Sequence, residues 1–327
     1  MQKHKAIVSV SLVGIFIFTL LLSSCGGGSE SINIGYGSNL DPADMDDALG
    51  IKELEKKLDV SVVEMSQDSN VVAGLIKGEI QLASIGCSDT IKAIQMGVPL
   101  KIIFPADMVA EFVLIGQPGI KTVEDFVGKK VAYHGPGSGT EILPRMLVNQ
   151  SGTVTDDQVE WIILPESPNR AAAMQAKRID VTALEYADVL TLLDSGQVYE
   201  IIASFADVAP EAIYSCWVTT EAYAVENPEV LKELGIALAK GYDLANNDKD
   251  AWMAIAKEKL PVVDESRLSR TYDFYASVHN FPAPPYFNQE VWDKMNAFYT
   301  SVGEYEDPAP FSDLDMTAIN AALEAMK

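Results

Sequence analysis

Between about residue 32 and residue 219 short apolar runs alternate with amphipathic helical patterns, and beyond that point the pattern is almost wholly helical. Such alternation specifies an α/β fold with largely parallel sheets, because each strand is covered by the helix that follows it. The change at 219 adds a second constraint. A helical tail needs a sheet to cover, and the first sheet of the chain is short of helices. The chain is therefore expected to cross into a second domain near 113–117 and to return along the apolar run 212–219. Two crossings make a hinge, and a hinge between two α/β lobes makes a cleft that can close.

The elements read as follows. Residues 32–36 form a first strand, and Asp41-Pro42 supplies an N-cap and a proline at the first helical position. The helix that follows places Ala48, Ile51, Leu54 and Leu58 on one face. Strand 60–65, a helix 71–77 stopped by Gly78, strand 80–85, a helix reaching Met96 and strand 100–104 complete the first series. From Lys121 a second series runs as a short helix, strands near 130, 159–164, 179–184 and 199–203, and helices 140–150, 168–176 and 187–193. Asn227-Pro228 opens a long tail helix, with further helices over 251–259, 265–278, 289–301 and 315–326.

The N-terminus carries an address. Lys3 and Lys5 precede an uncharged apolar run over 6–22, and "LSSC" ends at Cys25. Basic region, apolar run and lipobox in that order specify a lipoprotein signal peptide over 1–24, with a diacylglycerol expected on Cys25. The run is shorter than the roughly 20 apolar residues of a membrane span. "GGGSES" then makes a flexible tether over 25–31. The chain is expected to be exported and held by lipid on the outer face of the cell membrane, or on its periplasmic side. Formal net charge is −23, and cleavage would remove two lysines and no acid. That balance excludes nucleic-acid and anionic-membrane partners, which need a basic face. His134, His279, Cys87 and Cys216 have no metal-ligand spacing, so neither metal nor cofactor is expected.

Several segments resemble one known family. "DVSVVEMSQDSNVVAGLIKGEIQLASIGCSDTIKAIQMGVPLKII" is similar to the first lobe of the periplasmic substrate-binding proteins of ABC importers that serve nitrate, taurine, alkanesulfonates, thiamine precursors and riboflavin. "IKTVEDFVGKKVAYHGPGSGTEILPRMLVNQSG" resembles the start of the second lobe, "AMQAKRIDVTALEYADVLTLLDSG" a later part of it, and "VTTEAYAVENPEVLKELGIALAKGYDLANND" the return helix. Two departures stand out: Gln81 where an aspartate is usual, and Lys177-Arg178 in place of a glycine region. The resemblance implies a two-lobed Venus-flytrap fold of the type II periplasmic-binding-protein class, with a two-crossover hinge and a helical C-terminal segment. Lobe 1 would comprise 32–114 and 216–327, and lobe 2 residues 115–215. It also implies a small-molecule ligand between the lobes, a membrane permease as partner and a monomeric state. In the family's sheet order the return strand lies beside the third strand, which implies that Cys87 and Cys216 are bonded or in near-contact.

In open parallel sheets ligands sit beyond the carboxyl ends of the strands. That rule selects Tyr36, Ser38 and Asn39 after the first strand, Gly86, Cys87 and Ser88 after the third, and Asp107 after the fourth. In the second series it selects Gly137, Ser138, Gly139, Thr140 and Glu141, then Glu166, then Glu185 and Tyr186, with Trp217 on the return strand. Ser88 can cap its helix as well as touch a ligand. Tyr36, Tyr186 and Trp217 can stack on a planar ligand, though aromatics at strand ends more often fill the core. Glu166 and Glu185 are costly at strand ends unless solvated or paired, and a solvated rim is their commonest fate.

The glycines of "YHGPGSGTEIL" lack the lysine of a Walker loop and the third glycine of a dinucleotide fingerprint. A Gly-rich turn before a helix exposes N–H groups, with Ser138 or Thr140 as a cap. Glu141 already complements that helix dipole, so a strongly anionic ligand is disfavoured there. The ligand loops carry no Arg or Lys, and Arg145 and Arg170 lie a turn or less beyond two of them. An anion would want such a cation. The expectation is a solute-binding protein, not an enzyme, for a neutral or cationic heterocycle such as riboflavin or a thiamine pyrimidine precursor. Sulfonate, taurine or nitrate is the alternative ligand class. A thiamine-pyrimidine-synthase-like enzyme is the alternative of another kind, though the cysteine-rich run of that chemistry is missing.

Overall fold

A computed structural model describes residues 31–327. The leader, Cys25 and the tether up to Glu30 lie outside the described residues. Among those described, no helix is long and apolar enough to cross a membrane. The chain enters on β1 (Ile32–Tyr36) and passes a 3₁₀ turn (Pro42–Asp44) into α1 (Met45–Leu54). It continues through β2 (Val60–Glu64), α2 (Asp68–Lys77), β3 (Leu82–Gly86), α3 (Cys87–Gln95) and β4 (Leu100–Asp107). The second series is β5 (Val113–Gly116), a 3₁₀ turn (Val123–Phe126), β6 (Lys130–Tyr133), α4 (Gly139–Ser151), β7 (Glu160–Ile163), α5 (Ser167–Gln175), β8 (Val181–Leu184), α6 (Tyr186–Asp194), β9 (Glu200–Ser204) and the short α7 (Phe205–Val208). Then β10 (Ser215–Thr220) leads into α8 (Glu221–Glu226), α9 (Pro228–Asn247), α10 (Lys249–Lys259), α11 (Glu265–Ser277), α12 (Gln289–Ser301) and α13 (Thr317–Ala325).

Two five-stranded sheets result, ordered β2-β1-β3-β10-β4 and β7-β6-β8-β5-β9. They are mixed rather than largely parallel. β10 runs antiparallel to β3 and β4, and β5 antiparallel to β8 and β9. The reason lies in the crossings. The segment expected to cross near 113–117 is itself β5, and a strand arriving from the other sheet enters against the local direction. The return strand begins at Ser215, because residues 212–214 serve as the link: Tyr214 N donates to Asp107 O at 3.0 Å and Tyr214 O accepts from Cys87 N at 2.8 Å. β10 does lie beside β3, and the Cys87 and Cys216 thiols are free and buried, with burial first and then Cys216 pushing the Cys87 thiol up.

Local chemistry sets the element ends. Asp41 accepts from Ala43 N at 2.6 Å, and Asp44 accepts from Asp41 N at 2.9 Å, a reciprocal cap with Pro42 at the first helical position. Gly78 ends α2 at φ +73°, which costs an L side chain but not glycine. In the tail, Leu231, Leu234, Leu238, Tyr242 and Ala245 recur at helical spacing and are buried. α9 lies against α1 so closely that a Cβ on Gly241 would fall 2.2 Å from Gly50 N. Alanine at 241 gains about 1 kcal/mol of helix propensity. It loses more, about 3 kcal/mol, by forcing two helix backbones apart. Gly241→Ala is therefore expected to lower the urea midpoint, and an unchanged midpoint would show that the α1–α9 crossing yields freely.

Candidate functional site

Four segments converge beyond the strand ends. The first is the Asp41 cap. The second is the link from β4 to β5, carrying Asp107 at the end of β4 and Glu111 just before β5. The third is the start of α6, with Glu185, Tyr186 and Asp188; pairing of Val113 with Leu184 sets it beside that link. The fourth is the end of α11, with Tyr275 and the following Asn280. Hydrogen bonds tie α11 to the link: Met108 N donates to Asn280 O at 2.9 Å, and Asn280 Nδ2 donates to Val109 O at 2.7 Å. The Tyr186 and Phe274 rings stack at 3.8 Å and 11°. On the same two helices Arg270 forks onto Asp194 at 2.8 and 2.9 Å.

These acids share one field. Burial pushes the Asp107 carboxyl up to about 8, with repulsion from Asp47 and Asp41 added and hydrogen bonds from Ser215 and Asn280 opposing. Glu111, 3% exposed, is raised well above the usual carboxylate range by burial and then by Asp107 and Asp41. Glu185 is raised by burial, then by Asp41, Asp188 and Glu111, with Arg170 opposing. Burial raises Asp41 to about 6, its bond from Ala43 N opposes, and Asp188 and Glu166 add to the rise. Arg170 is 1% exposed and spends its donors on main chain, Nε on Ala183 O and Nη1 on Leu164 O, each at 3.2 Å.

The other residues selected from sequence divide between loop and core. Ser38 is half-buried and Asn39 exposed, in the bend after β1. Gly86 N donates to Asp68 Oδ2 at 3.0 Å, so a side chain of α2 already occupies that strand end. Cys87 and Ser88 are buried inside the first turn of α3, and Ser88 makes no cap bond. Tyr36 and Trp217 are core residues. Their rings meet edge to face at 6.4 Å, and both bond to Asp47, Tyr36 OH at 3.3 Å and Trp217 Nε1 at 3.0 Å. Tyr186 presents one ring face to Phe274.

The glycine loop is closed upon itself. Gly137 N donates to Glu141 Oε2 at 2.8 Å, and Glu141 Oε1 accepts from Arg145 Nε at 2.8 Å. The helix start thus holds its own carboxylate, as the sequence implied. Ser138 occupies the cap position without a cap bond, and its hydroxyl meets that of Thr140 at 2.9 Å. Thr140 Oγ1 accepts from His134 N at 2.8 Å. A Cβ on Gly137 would reach Lys92 and Asp89 of α3, and one on Gly139 would strike the Tyr214 and Phe112 rings. The loop therefore abuts the first-sheet side of the molecule. Glu166 sits at φ 63°, half-buried, with its N–H on His134 Nδ1 at 3.3 Å.

Sequence reasoning missed Glu111, Asp188, Tyr275 and Asn280, and saw Asp41 only as a cap. The neighbourhood of Glu111 was legible, since it immediately precedes the expected crossing. Tyr275 carried no signal, because Leu268, Tyr272 and Tyr275 repeat as an ordinary buried helix face. Among the described residues no three His, Cys, Asp or Glu are placed to hold a metal ion.

The family model described as NMT1/THI5 like matches residues 54–251. No curated protein sequence matches the chain. Among solved structures, the ligand-binding component of an ABC-type import system from Staphylococcus aureus, with zinc bound, aligns at TM-score 0.73 and 15% identity, over 90% of this chain and 99% of that one. The alkanesulfonate-binding protein from Xanthomonas axonopodis pv. citri, bound to MOPS, aligns at TM-score 0.70 and 16% identity, over 88% of this chain and 98% of that one. The periplasmic nitrate-binding protein from Synechocystis PCC 6803 aligns at TM-score 0.65 and 16% identity, over 90% and 88%. At such identities the likeness is one of fold.

Proposed function

Because this chain belongs to the NMT1/THI5-like family, we propose that it is the solute-binding component of an ABC importer, of the group that includes the sulfonate- and nitrate-binding proteins. The observation that carries the reading is the convergence of Asp107 and Glu111 on one crossing link with Glu185 of α6 and Tyr275 of α11. Those groups come from both sheets and from the tail. The lobes would be 32–114 with 216–327, and 115–215, hinged at the two links. The lipid on Cys25 would tether the protein outside the cytoplasm, where it meets a membrane permease.

The protein would bind and release its ligand unchanged. Its two described thiols support this, since Cys87 and Cys216 are both fully buried. For the ligand we favour a neutral or cationic heterocycle, of the kind represented by riboflavin or a thiamine pyrimidine precursor. The support is chemical: acids crowd the site, and its buried arginine is already engaged. Calorimetric titration with riboflavin, the hydroxymethyl aminopyrimidine, taurine and nitrate checks this. Saturable binding of one of the first two is expected. Binding of taurine or nitrate alone would move the ligand to the anionic class.

A further inference from the structure

Resting on the reading of this cleft as a ligand site, we propose that its ligand carries a protonated amine, seated between Asp107 and Glu111 of the crossing link and Glu185 of α6. The argument is an inventory of donors and acceptors. Glu111 Oε2 and Asn280 Oδ1 are buried and accept no hydrogen bond, and Tyr275 OH, also buried, has no partner. Glu111, Asn280 and Tyr275 are 3%, 0% and 0% exposed, so water does not reach them freely. Buried polar atoms left unpaired are costly, and native proteins rarely keep them without a purpose. Asn280 lies at the centre of the cluster, since its Nδ2 reaches both Asp107 Oδ1, at 3.4 Å, and Val109 O. Tyr275 stands in the field of Glu111, Asp41, Glu185 and Asp107 together.

What Asp107 and Glu111 lack is a cation beside them. Arg170 is the guanidinium facing Glu185, and its Nε and Nη1 are bonded to carbonyls. Arg267 faces Asp188, and its buried Nε has no partner among the described residues. Lys92 is bound to Asp89 and Glu304 away from it, each at 2.7 Å. An ammonium brings three N–H donors and one positive charge. It would supply Glu111 Oε2 and Asn280 Oδ1 with donors and offset the repulsion among the carboxyls. A neutral ring could fill one of these gaps and would leave the charge as it is. An anion would worsen both.

The test is a matched pair. The full chain is titrated by calorimetry with 4-amino-5-aminomethyl-2-methylpyrimidine and with its 5-hydroxymethyl analogue, which differ in one charged group. A further amine, 1,4-diaminobutane, and the controls riboflavin, methanesulfonate, nitrate and calcium are run beside them. At least one amine is expected to bind about tenfold or more tightly than the hydroxymethyl compound. Glu111→Gln, and separately Glu185→Gln, should each remove most of that advantage. Equal affinity within the matched pair, or binding of only neutral compounds, anions or calcium, overturns the amine assignment and leaves the binding-protein reading standing. No binding of any probe by a folded chain counts against both.

Discussion

Replacing Asp47 by alanine is expected to cost the fold about 3 kcal/mol, while asparagine at the same position should cost within about 1 kcal/mol. Asp47 is 2% exposed and accepts from Tyr242 OH at 2.5 Å, Trp217 Nε1 at 3.0 Å and Tyr36 OH at 3.3 Å, with Ser84 as a further partner. Alanine opens a cavity and strands Tyr36 OH. Tyr242 OH keeps a partner in Pro105 O, at 3.2 Å, which limits the loss. Burial has already raised the Asp47 carboxyl to about 6, and its hydrogen bonds only partly oppose that. Its negative charge is therefore worth less than its acceptors. Asparagine keeps an acceptor and drops the charge. Equilibrium urea unfolding at neutral pH measures both variants, and equal losses would show that the charge, not the hydrogen bonds, matters.

Stability of the ligand-free protein should fall steadily as the pH is raised from about 5 to about 8. Buried carboxyls hold protons that the unfolded chain has already released: Asp107 is raised to about 8, Asp41, Asp47 and Asp68 to about 6, and Glu111 and Glu185 well above the usual range. Burial is the first cause in each. The folded state thus binds more protons than the unfolded state, so its advantage is complete below the unfolded values near 3.8 and is lost as the pH climbs through the folded ones. Each retained proton lowers stability by about 1.4 kcal/mol per pH unit. Asp107 alone accounts for as much as about 4 kcal/mol over that window. Melting temperatures at three pH values check this, and a flat or rising profile would mean that the acids are not shielded as described. Asp107→Asn should make the slope above about pH 6 shallower without abolishing it, because Glu111 and Glu185 are also raised by burial.

Much of the architecture was legible. Strand–helix alternation, the cap at Asp41 and the stop at Gly78 rest on local chemistry that any window of the chain displays. The two crossings were legible as well, because a tail of helices with no sheet of its own must return to one. The direction of the crossing strands was not, since apolar pattern carries no sense of direction. For the site, Asp107, Glu166, Glu185 and Tyr186 stood out as strand-end residues. Tyr36 and Trp217 obey the same rule but are claimed by Asp47, a helix residue whose burial the sequence did not advertise. Tyr275 and Asn280 belong to the tail. No short-range pattern says that one tail helix, α11, reaches across to α6, because that contact depends on how the whole chain has already folded.

The matching strand orders bear on how the chain assembles. β4 is the last strand of its sheet, and its neighbour there is β10, more than a hundred residues later. Strands β2, β1 and β3 can associate as soon as they are made. β4 must wait, its edge unpaired, until the entire second sheet and the link behind it have been synthesised. The second sheet repeats the arrangement on a shorter scale, with β5 waiting for its neighbours β8 and β9. The two halves therefore finish in the order opposite to that in which they begin. The first half to start is the last to close, and a chain truncated anywhere before residue 215 leaves an open, apolar strand at its edge.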